Sequence, residues 1–382
     1  MQETPIAREA LALGPDVVYL NHAAAGVLPR RTRDTLIGLI EGQTRAGVLG
    51  FAGVERELAA YRARVGAFIG VGGDQIAFLR NTSDGANVVA RGLSWDAGDE
   101  IVLPRNEFGA NALPWLALRE LGVVIRWIDA PRERMTPEVL ARALGPRTRL
   151  VALSWVSFAD GYRHDLAPLA ELAHRAGAWF CVDAIQGLGA FPLDAAALGI
   201  DALYAGGAKW LLGVPGVSLL YVAPALQERL AVRWRGWRDV ADIWDFLAYE
   251  QPLAPSAARF EGGTPNFLGI AALDSSLGVL AEAGLERIAT HVLSLTDDLV
   301  AGLNARGARV HGERGGSRSS GIVTFEVPGC DSLALGKELG RRGIVVTFRS
   351  SGLRISPHGY NRRDEIETLL AALDQLPAAA RI

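Results

Sequence analysis

Apolar and polar positions in this chain group into blocks with two different periods. Short, nearly pure apolar runs recur, among them Ile76–Leu79, Trp179–Val182 and Val217–Val222. They are too short for helices and leave no outward polar positions. Such runs predict strands covered on both faces, as in a parallel sheet. Further strands are predicted at Glu100–Leu103, Val123–Ile128, Arg149–Val156 and Ala202–Tyr204. Between them a helical period runs over Arg31–Ile40, Val54–Ile69, Asn111–Leu121, Pro137–Leu144 and Asp165–Arg175, with Gly70 and Gly177 as stops. The alternation predicts an α/β unit with right-handed crossovers and a mostly parallel seven-stranded sheet. Ligands of such sheets sit at the carboxyl ends of the strands.

The pattern changes after residue 260. Two helices are predicted within residues 274–306, then a polar loop at Glu313–Ser320. Strands at Gly321–Val327, Ile344–Phe348 and Gly352–Ser356 alternate with helices at Leu333–Arg342 and from Arg363 to Leu376. The expected organisation is an N-terminal segment at residues 1–18 packing on the small unit. A large domain follows at 19–260, and a smaller C-terminal α/β domain at 261–382. The N-terminal segment reads as a short helix leading into a strand at Val17–Leu20.

Composition narrows the class. The chain has 382 residues, 49% hydrophobic and 21% charged, which is ordinary for a globular protein. A net charge of −3 gives no basic field for nucleic acid. Arg233–Arg238 is rich in tryptophan and arginine but short, and reads as a substrate-facing or subunit-facing loop. Two cysteines are too few for a disulfide framework and fit a reducing compartment. The N-terminus lacks the apolar stretch of a signal peptide, and no run reads as a membrane span. A cytoplasmic enzyme with no membrane partner is expected, and no His/Cys cluster suggests a metal.

Candidate chemistry concentrates between Val182 and Gly216. Asp183 ends one apolar run, and Lys209 follows another among small residues. A lysine in an apolar, glycine-rich pocket has a lowered pKa and can form a Schiff base with a carbonyl cofactor such as pyridoxal phosphate. An aspartate facing the pyridine nitrogen keeps that ring protonated. A turn-capping aspartate and a solvated lysine would leave the same residues. Asn81–Gly85, between a strand and a helix, offers hydroxyls and free N–H groups to a phosphate, or an ordinary helix cap. The Gly206-Gly-Ala-Lys209 stretch lacks the spacing of a P-loop, and Gly187-Leu-Gly189 lacks the third glycine of a dinucleotide fingerprint.

Taken together, the motifs YLNHAAAG (Tyr19–Gly26), NTSDG, NEFGAN, the Asp183-to-Lys209 segment, RFEGGTPN and LRIS resemble the class V aminotransferase group of fold-type I pyridoxal-phosphate enzymes. That group includes cysteine desulfurases, selenocysteine lyases and isopenicillin N epimerase-like proteins. The resemblance implies Lys209 as the Schiff-base lysine and the group that moves the substrate Cα proton. It implies Asp183 on the pyridinium, Gln186 on the ring oxygen, and Thr82 and Ser83 on the phosphate, with Gly206 or Gly207 beside it. Phe108 would stack on the ring, Ala25 and Gly26 would line the substrate site, and Arg354 would clamp the substrate carboxylate. Thr264 would reach the phosphate of a neighbouring subunit, which implies a homodimer.

Departures from the family pattern shape the expected reaction. Desulfurases carry a nucleophilic cysteine in the loop that is Thr347–Gly352 here, and this loop has none. Cys181 falls in an apolar run and Cys330 lies well upstream of Arg354. Ala208 stands where the family has a histidine, Phe158 where it has an asparagine, and Phe108 where desulfurases have a histidine. The expectation is a C–S or β-elimination lyase or an aminotransferase, not a persulfide-forming desulfurase. The alternatives are an epimerase, with Tyr162, His22 or His358 as a second base, and a catalytically inactive binding protein. Arg163 and Arg349 are candidates for a second anion contact or for structural ion pairs.

Overall fold

The computed structural model describes residues 4–129, 134–349 and 352–375. The first residues of the N-terminal segment, Leu376 of the last helix, and Ser350 and Ser351 of the Thr347–Gly352 loop lie outside the described residues. In chain order the strands are β1 (Val18–Tyr19), β2 (Ile76–Leu79), β3 (Glu100–Pro104), β4 (Val124–Ile128), β5 (Thr148–Ser154), β6 (Trp179–Asp183), β7 (Ala202–Gly206), β8 (Ser218–Val222), β9 (Arg309–His311), β10 (Val323–Glu326), β11 (Ile344–Val345), β12 (Thr347–Arg349) and β13 (Gly352–Ile355). The helices are α1 (Arg30–Ala46), α2 (Ala52–Phe68), α3 (Thr82–Gly92), α4 (Gly109–Leu116), α5 (Pro137–Ala143), α6 (Leu166–Arg175), α7 (Pro224–Gln227), α8 (Phe267–Ala283), α9 (Leu285–Ala305), α10 (Ser332–Arg341) and α11 (Arg363–Asp374).

Seven strands form one sheet in the order β2-β8-β7-β6-β5-β3-β4. Pairs among β7, β6, β5, β3 and β4 are parallel, and β8 runs antiparallel to both neighbours. The reason lies in the connection. No helix separates β7 from β8, so the chain returns beside β7 in the opposite sense. The apolar runs are buried on both faces, as their sequences demand. On one face Phe180, Val182 and Leu203 pack with Leu58 of α2, Leu169 of α6 and Leu273 of α8. On the other, Cys181, Ala152 and Tyr204 pack with Val89 of α3 and Trp115 of α4.

A four-stranded antiparallel sheet, β12-β13-β10-β9, carries its own core against α9, α10 and α11. The predicted single strand at Ile344–Phe348 is two strands. Its first half pairs in parallel with β1, and its second half pairs with β13. Two partners lie on different sides, so the strand breaks between them. α8 begins at Phe267 rather than near 274, and its Ile270, Leu273 and Leu277 join the core of the large sheet. The change from one core to the other therefore runs along α9, whose Ile288 belongs to the first and Leu299 to the third cluster. The predicted N-terminal helix is one 3-10 turn at Arg8–Ala10. Its Arg8 bonds Glu365 of α11, and Ile6 donates to Gly359 O. Among the described residues no single helix is long and apolar enough to cross a membrane.

Candidate active site

Parallel register brings the site together. Asp183 closes β6 beside Ser154 of β5 and Tyr204 of β7. Lys209 follows β7 by three residues, Thr82 and Ser83 open α3 after β2, and Phe108 precedes α4 after β3. These all lie past the carboxyl ends of their strands, where the alternating pattern puts a ligand site.

Asp183 is 1% exposed. Burial pushes its carboxyl up to about 6, against the Ile185 N–H it accepts at 2.9 Å and the charge of Lys209. Burial pulls the Lys209 ammonium down to about 8; Asp183 opposes this, and the charges of Arg354 and Arg349 add to it. A share of free amine is thus present at neutral pH. The chain turns sharply behind the lysine. Leu212 is buried in the left-handed region at φ 56°, a conformation that costs about 1 kcal/mol or more for a branched residue. It is held there by Leu212 N–H on Lys209 O and Gly213 N–H on Gly207 O.

Gly26 fixes the facing loop. Its N–H donates to Ala208 O at 2.7 Å, and a Cβ at this position would stand 2.2 Å from Lys209 O. Only glycine allows that approach. Ala25, just before it, is exposed and its carbonyl accepts the Tyr19 hydroxyl.

At α3, Asn81 caps the helix through its side chain on Asp84 N–H. The N–H groups of Thr82 and Ser83 have no intrahelical acceptor. Thr82 is buried, and its hydroxyl faces Gly206, where a Cβ would lie 3.4 Å away. Gly207 donates to Val217 O. Bare Gly206 beside the Thr82 hydroxyl at a helix N-terminus is a place where an anion can be held, while Gly207 packs toward Val217 and Leu273.

Phe108, 47% exposed, lies with its ring 5.6 Å from Lys209 Nζ and edge-on to Phe158 at 5.2 Å. Phe158 O accepts Arg354 Nη1 at 2.9 Å, which links Lys209 to the small sheet. Arg354 of β13 is 1% exposed, yet among the described residues its Nε and Nη2 have no partner. Burial holds this guanidinium down at about 10, with the charge of Arg349 adding to the effect. A buried guanidinium with two unmet donors calls for an anion.

Two further expected residues, Gln186 and Thr264, sit as follows. Gln186 is buried with Nε2 on Ala23 O and its Oε1 accepting Trp210 Nε1, so one amide proton is left for any ligand. Thr264 has no hydrogen bond or ring contact with Lys209 or Asp183 among the described residues. It accepts Trp237 Nε1 and lines a cavity of about 470 Å³ with Arg80, Asp84, Arg91 and Trp234.

None of the three proposed second bases is a surface residue: Tyr162, His22 and His358 are all buried. His22 Nδ1 faces Ser356 O and must carry the proton, so Nε2 accepts the Tyr360 hydroxyl. His358 Nδ1 accepts Gly359 N–H while Nε2 donates to Trp210 O. Both rings are neutral with both nitrogens occupied, and neither has a lone pair free for a substrate. Arg163 makes no ion pair among the described residues; its Nε donates to Ser317 O and its guanidinium lies 4.4 Å from the Phe191 ring centre. Arg349 is exposed. Cys181 is fully buried and burial pushes its thiol well up, the reverse of an activated nucleophile.

Sequence reasoning missed Glu107. Its carboxyl accepts Ser154 N–H, Ser154 Oγ and Asn111 Nδ2. The residue stands in the NEFGAN motif four positions before its partner Asn111, but its other partner, Ser154, comes from β5, and no local spacing reveals that contact.

The Aminotransferase class-V family model matches residues 18–369. A probable cysteine desulfurase of Methanothermobacter thermautotrophicus is 31% identical over 84% of this chain and 84% of its own length. An uncharacterized aminotransferase of Bacillus subtilis, YcbU, is 28% identical over 81% of this chain and 80% of its own. The apo structure of a cysteine desulfurase from Thermococcus onnurineus superposes with a TM-score of 0.89 at 25% identity, covering 98% of this chain and 99% of that one.

Proposed function

We propose, for a chain that belongs to the Aminotransferase class-V family of pyridoxal-phosphate enzymes, a lyase that removes a sulfur-type substituent from Cβ of an α-amino acid. The observation that carries the reading is Arg354: two guanidinium nitrogens unmet among the described residues, buried, on the same site as a Lys209 that is partly neutral at neutral pH. Together they fit a substrate carboxylate and a base for its Cα proton.

When bound, pyridoxal phosphate supplies a reactive carbonyl and an electron sink for charge developed at Cα. The residues here fit that group. Thr82, Ser83 and the first N–H groups of α3 would hold the phosphate beside Gly206 and Gly207. Asp183 would accept from the ring nitrogen, and the spare Gln186 N–H would serve the ring oxygen. Phe108 would cover the ring and keep water from it. Arg354 orients the amino acid by its carboxylate, with Ala25 and Gly26 as the facing wall. Lys209 Nζ takes the Cα proton, and the same nitrogen returns it to the departing sulfur. Balanced over the whole reaction, the substrate and water give a thiol, ammonia and an oxo acid.

Elimination is preferred over persulfide transfer because neither cysteine lies in the Thr347–Gly352 loop: half-buried Cys330 lines a pocket with Phe348 and Arg349 that includes neither Lys209 nor Asp183. Cys181 is sealed in β6, and the Thr347–Gly352 loop holds serines at 350 and 351. Epimerisation is disfavoured because His22 and His358 have both nitrogens engaged. We read the active form as a homodimer in the cytoplasm. Exposed Trp234, which lines Thr264's cavity, and exposed Trp244, Phe246 and Tyr249 further along the same segment support a face covered by a second copy.

The test is turnover of pyridoxal-phosphate-loaded protein with cysteine, cystine, cysteine sulfoxides and alanine. Oxo acid and ammonia in equal amounts are expected, with sulfide released from cysteine, a free persulfide from cystine and a sulfenic acid from a sulfoxide, and no turnover of alanine; Lys209→Ala is expected to abolish all three. A persulfide retained on the protein, or a cofactor amine form restored only by an oxo acid, overturns the reading.

A further inference from the structure

Behind Asp183 lies a second buried carboxyl group that the proposed chemistry leaves unused. Glu107, half-buried, sits between β3 and α4, with its carboxyl bonded to residues of β5 and α4. Oε1 accepts Ser154 N–H at 2.7 Å; Oε2 accepts Ser154 Oγ at 2.5 Å and Asn111 Nδ2 at 3.0 Å. Asn111 is oriented by its own acceptor side, which takes the Tyr204 hydroxyl and Trp115 Nε1. Its amide therefore has only donors to offer Glu107. Ser154 is pinned as well, since His164 Nδ1 bonds its carbonyl at 2.9 Å.

Two members of this network flank Asp183 in the sheet. Ser154 is its register partner on β5, and Tyr204 its partner on β7. In parallel register the three side chains emerge on one face. Every fixed donor around Glu107 favours its anion, so the network is built to hold negative charge next to Asp183.

We propose that Glu107 is a positioning residue for the cofactor ring: with Ser154, Asn111 and Tyr204 it places a second carboxylate behind Asp183, and that charge stabilises the protonated ring nitrogen. This rests on the pyridoxal-phosphate reading of the site. Burial lifts the Glu107 carboxyl to about 7, its three hydrogen bonds work against that lift, and Asp183 adds to it. A ring cation favours the Glu107 anion, so binding drives the proton off Glu107. By linkage the cofactor then binds more tightly as pH rises through that range. The other groups facing the network leave that window clear or stay constant across variants. Burial pushes Tyr204 and Cys181 well up and holds His164 down at about 4. Asp183, at about 6, is retained throughout, and Lys209 is removed by substitution.

The experiment measures the dissociation constant of pyridoxal phosphate from the full chain carrying Lys209→Ala, by equilibrium dialysis from pH 6 to pH 8.5, with and without Glu107→Gln. Affinity is expected to rise with pH when Glu107 is present. Glu107→Gln is expected to weaken binding about tenfold at pH 8, much less at pH 6, and so flatten the profile. Equal constants at every pH overturn the proposal, as does a lowered Tm with an unchanged pH profile, which marks a merely structural residue. Should Glu107→Gln not fold, Ser154→Ala serves. It removes one donor and no charge, and is expected to move the rise in affinity about half a unit to higher pH; an unmoved rise overturns the proposal. Failure of the wild-type chain to bind pyridoxal phosphate at all removes the reading of the site itself, and this inference with it.

Discussion

Two buried polar clusters lie next to each other around Trp210, and they are built on opposite principles. The His22–His358–Tyr360 cluster ties the N-terminal loop, the segment after Lys209 and the segment after β13. All four ring nitrogens of its histidines are matched. In the Lys209–Asp183–Arg354 cluster Asp183 and Arg354 are as deeply placed and Lys209 is half-buried, yet among the described residues two guanidinium nitrogens are unmatched, and three groups titrate far from their usual values. Burial alone does not mark a reactive site. A matched buried group costs little and resists change, whereas an unmatched one stores free energy that a ligand can release.

The largest expected effect tests the unmatched cluster. Arg354→Ala should lower kcat/KM by about 100-fold or more, while stability holds or rises, because a desolvated charge is removed. Steady-state kinetics and thermal melts read both. A large loss of Tm with modest kinetic loss would make Arg354 a structural residue and erase the contrast.

His22→Phe probes the matched cluster with an intermediate effect. It orphans the Tyr360 hydroxyl and leaves Ser356 O only the backbone N–H of residue 22, for a loss of about 2 kcal/mol in denaturant unfolding. The visible spectrum of the cofactor-loaded protein should be unchanged. A bleached or shifted spectrum would show that this cluster belongs to the chemistry.

The smallest effect is a slope. Burial holds folded His358 down at about 4, while the unfolded chain titrates near 6.5. Between those values the unfolded state binds the extra proton, so acidification from pH 6.5 to pH 4 should cost about 3 kcal/mol of stability. Above pH 6.5 both states are neutral and this contribution to the slope vanishes. His358→Gln should flatten that part of the profile in urea titrations at stepped pH. A slope that persists unchanged would remove His358 from the cause.

Legibility followed the range of the determining forces. Apolar runs covered on both faces could only be sheet strands, and Asp183, Lys209, Thr82 and Phe108 sit beside such strands, so their convergence was readable. Ile344–Phe348 was misread as one strand because its two halves pair with β1 and β13, partners far apart in the chain. His22 and His358 looked like candidate bases for a related reason. Nothing in NHAAAG or SPHGY says that Tyr360 and Trp210 O will occupy their ring nitrogens.

By itself, the sequence determined the alternating α/β pattern, the seven strands of the large sheet, the family motifs and the missing thiol in the Thr347–Gly352 loop. Those are properties of residue type and local period. Tertiary structure alone decided which polar groups are matched: Gln186 mostly committed, Arg354 two donors short, Glu107 brought behind Asp183 by Ser154 and Asn111. The free energy of a buried polar group depends on partners arriving from other strands, and no spacing along one strand records them.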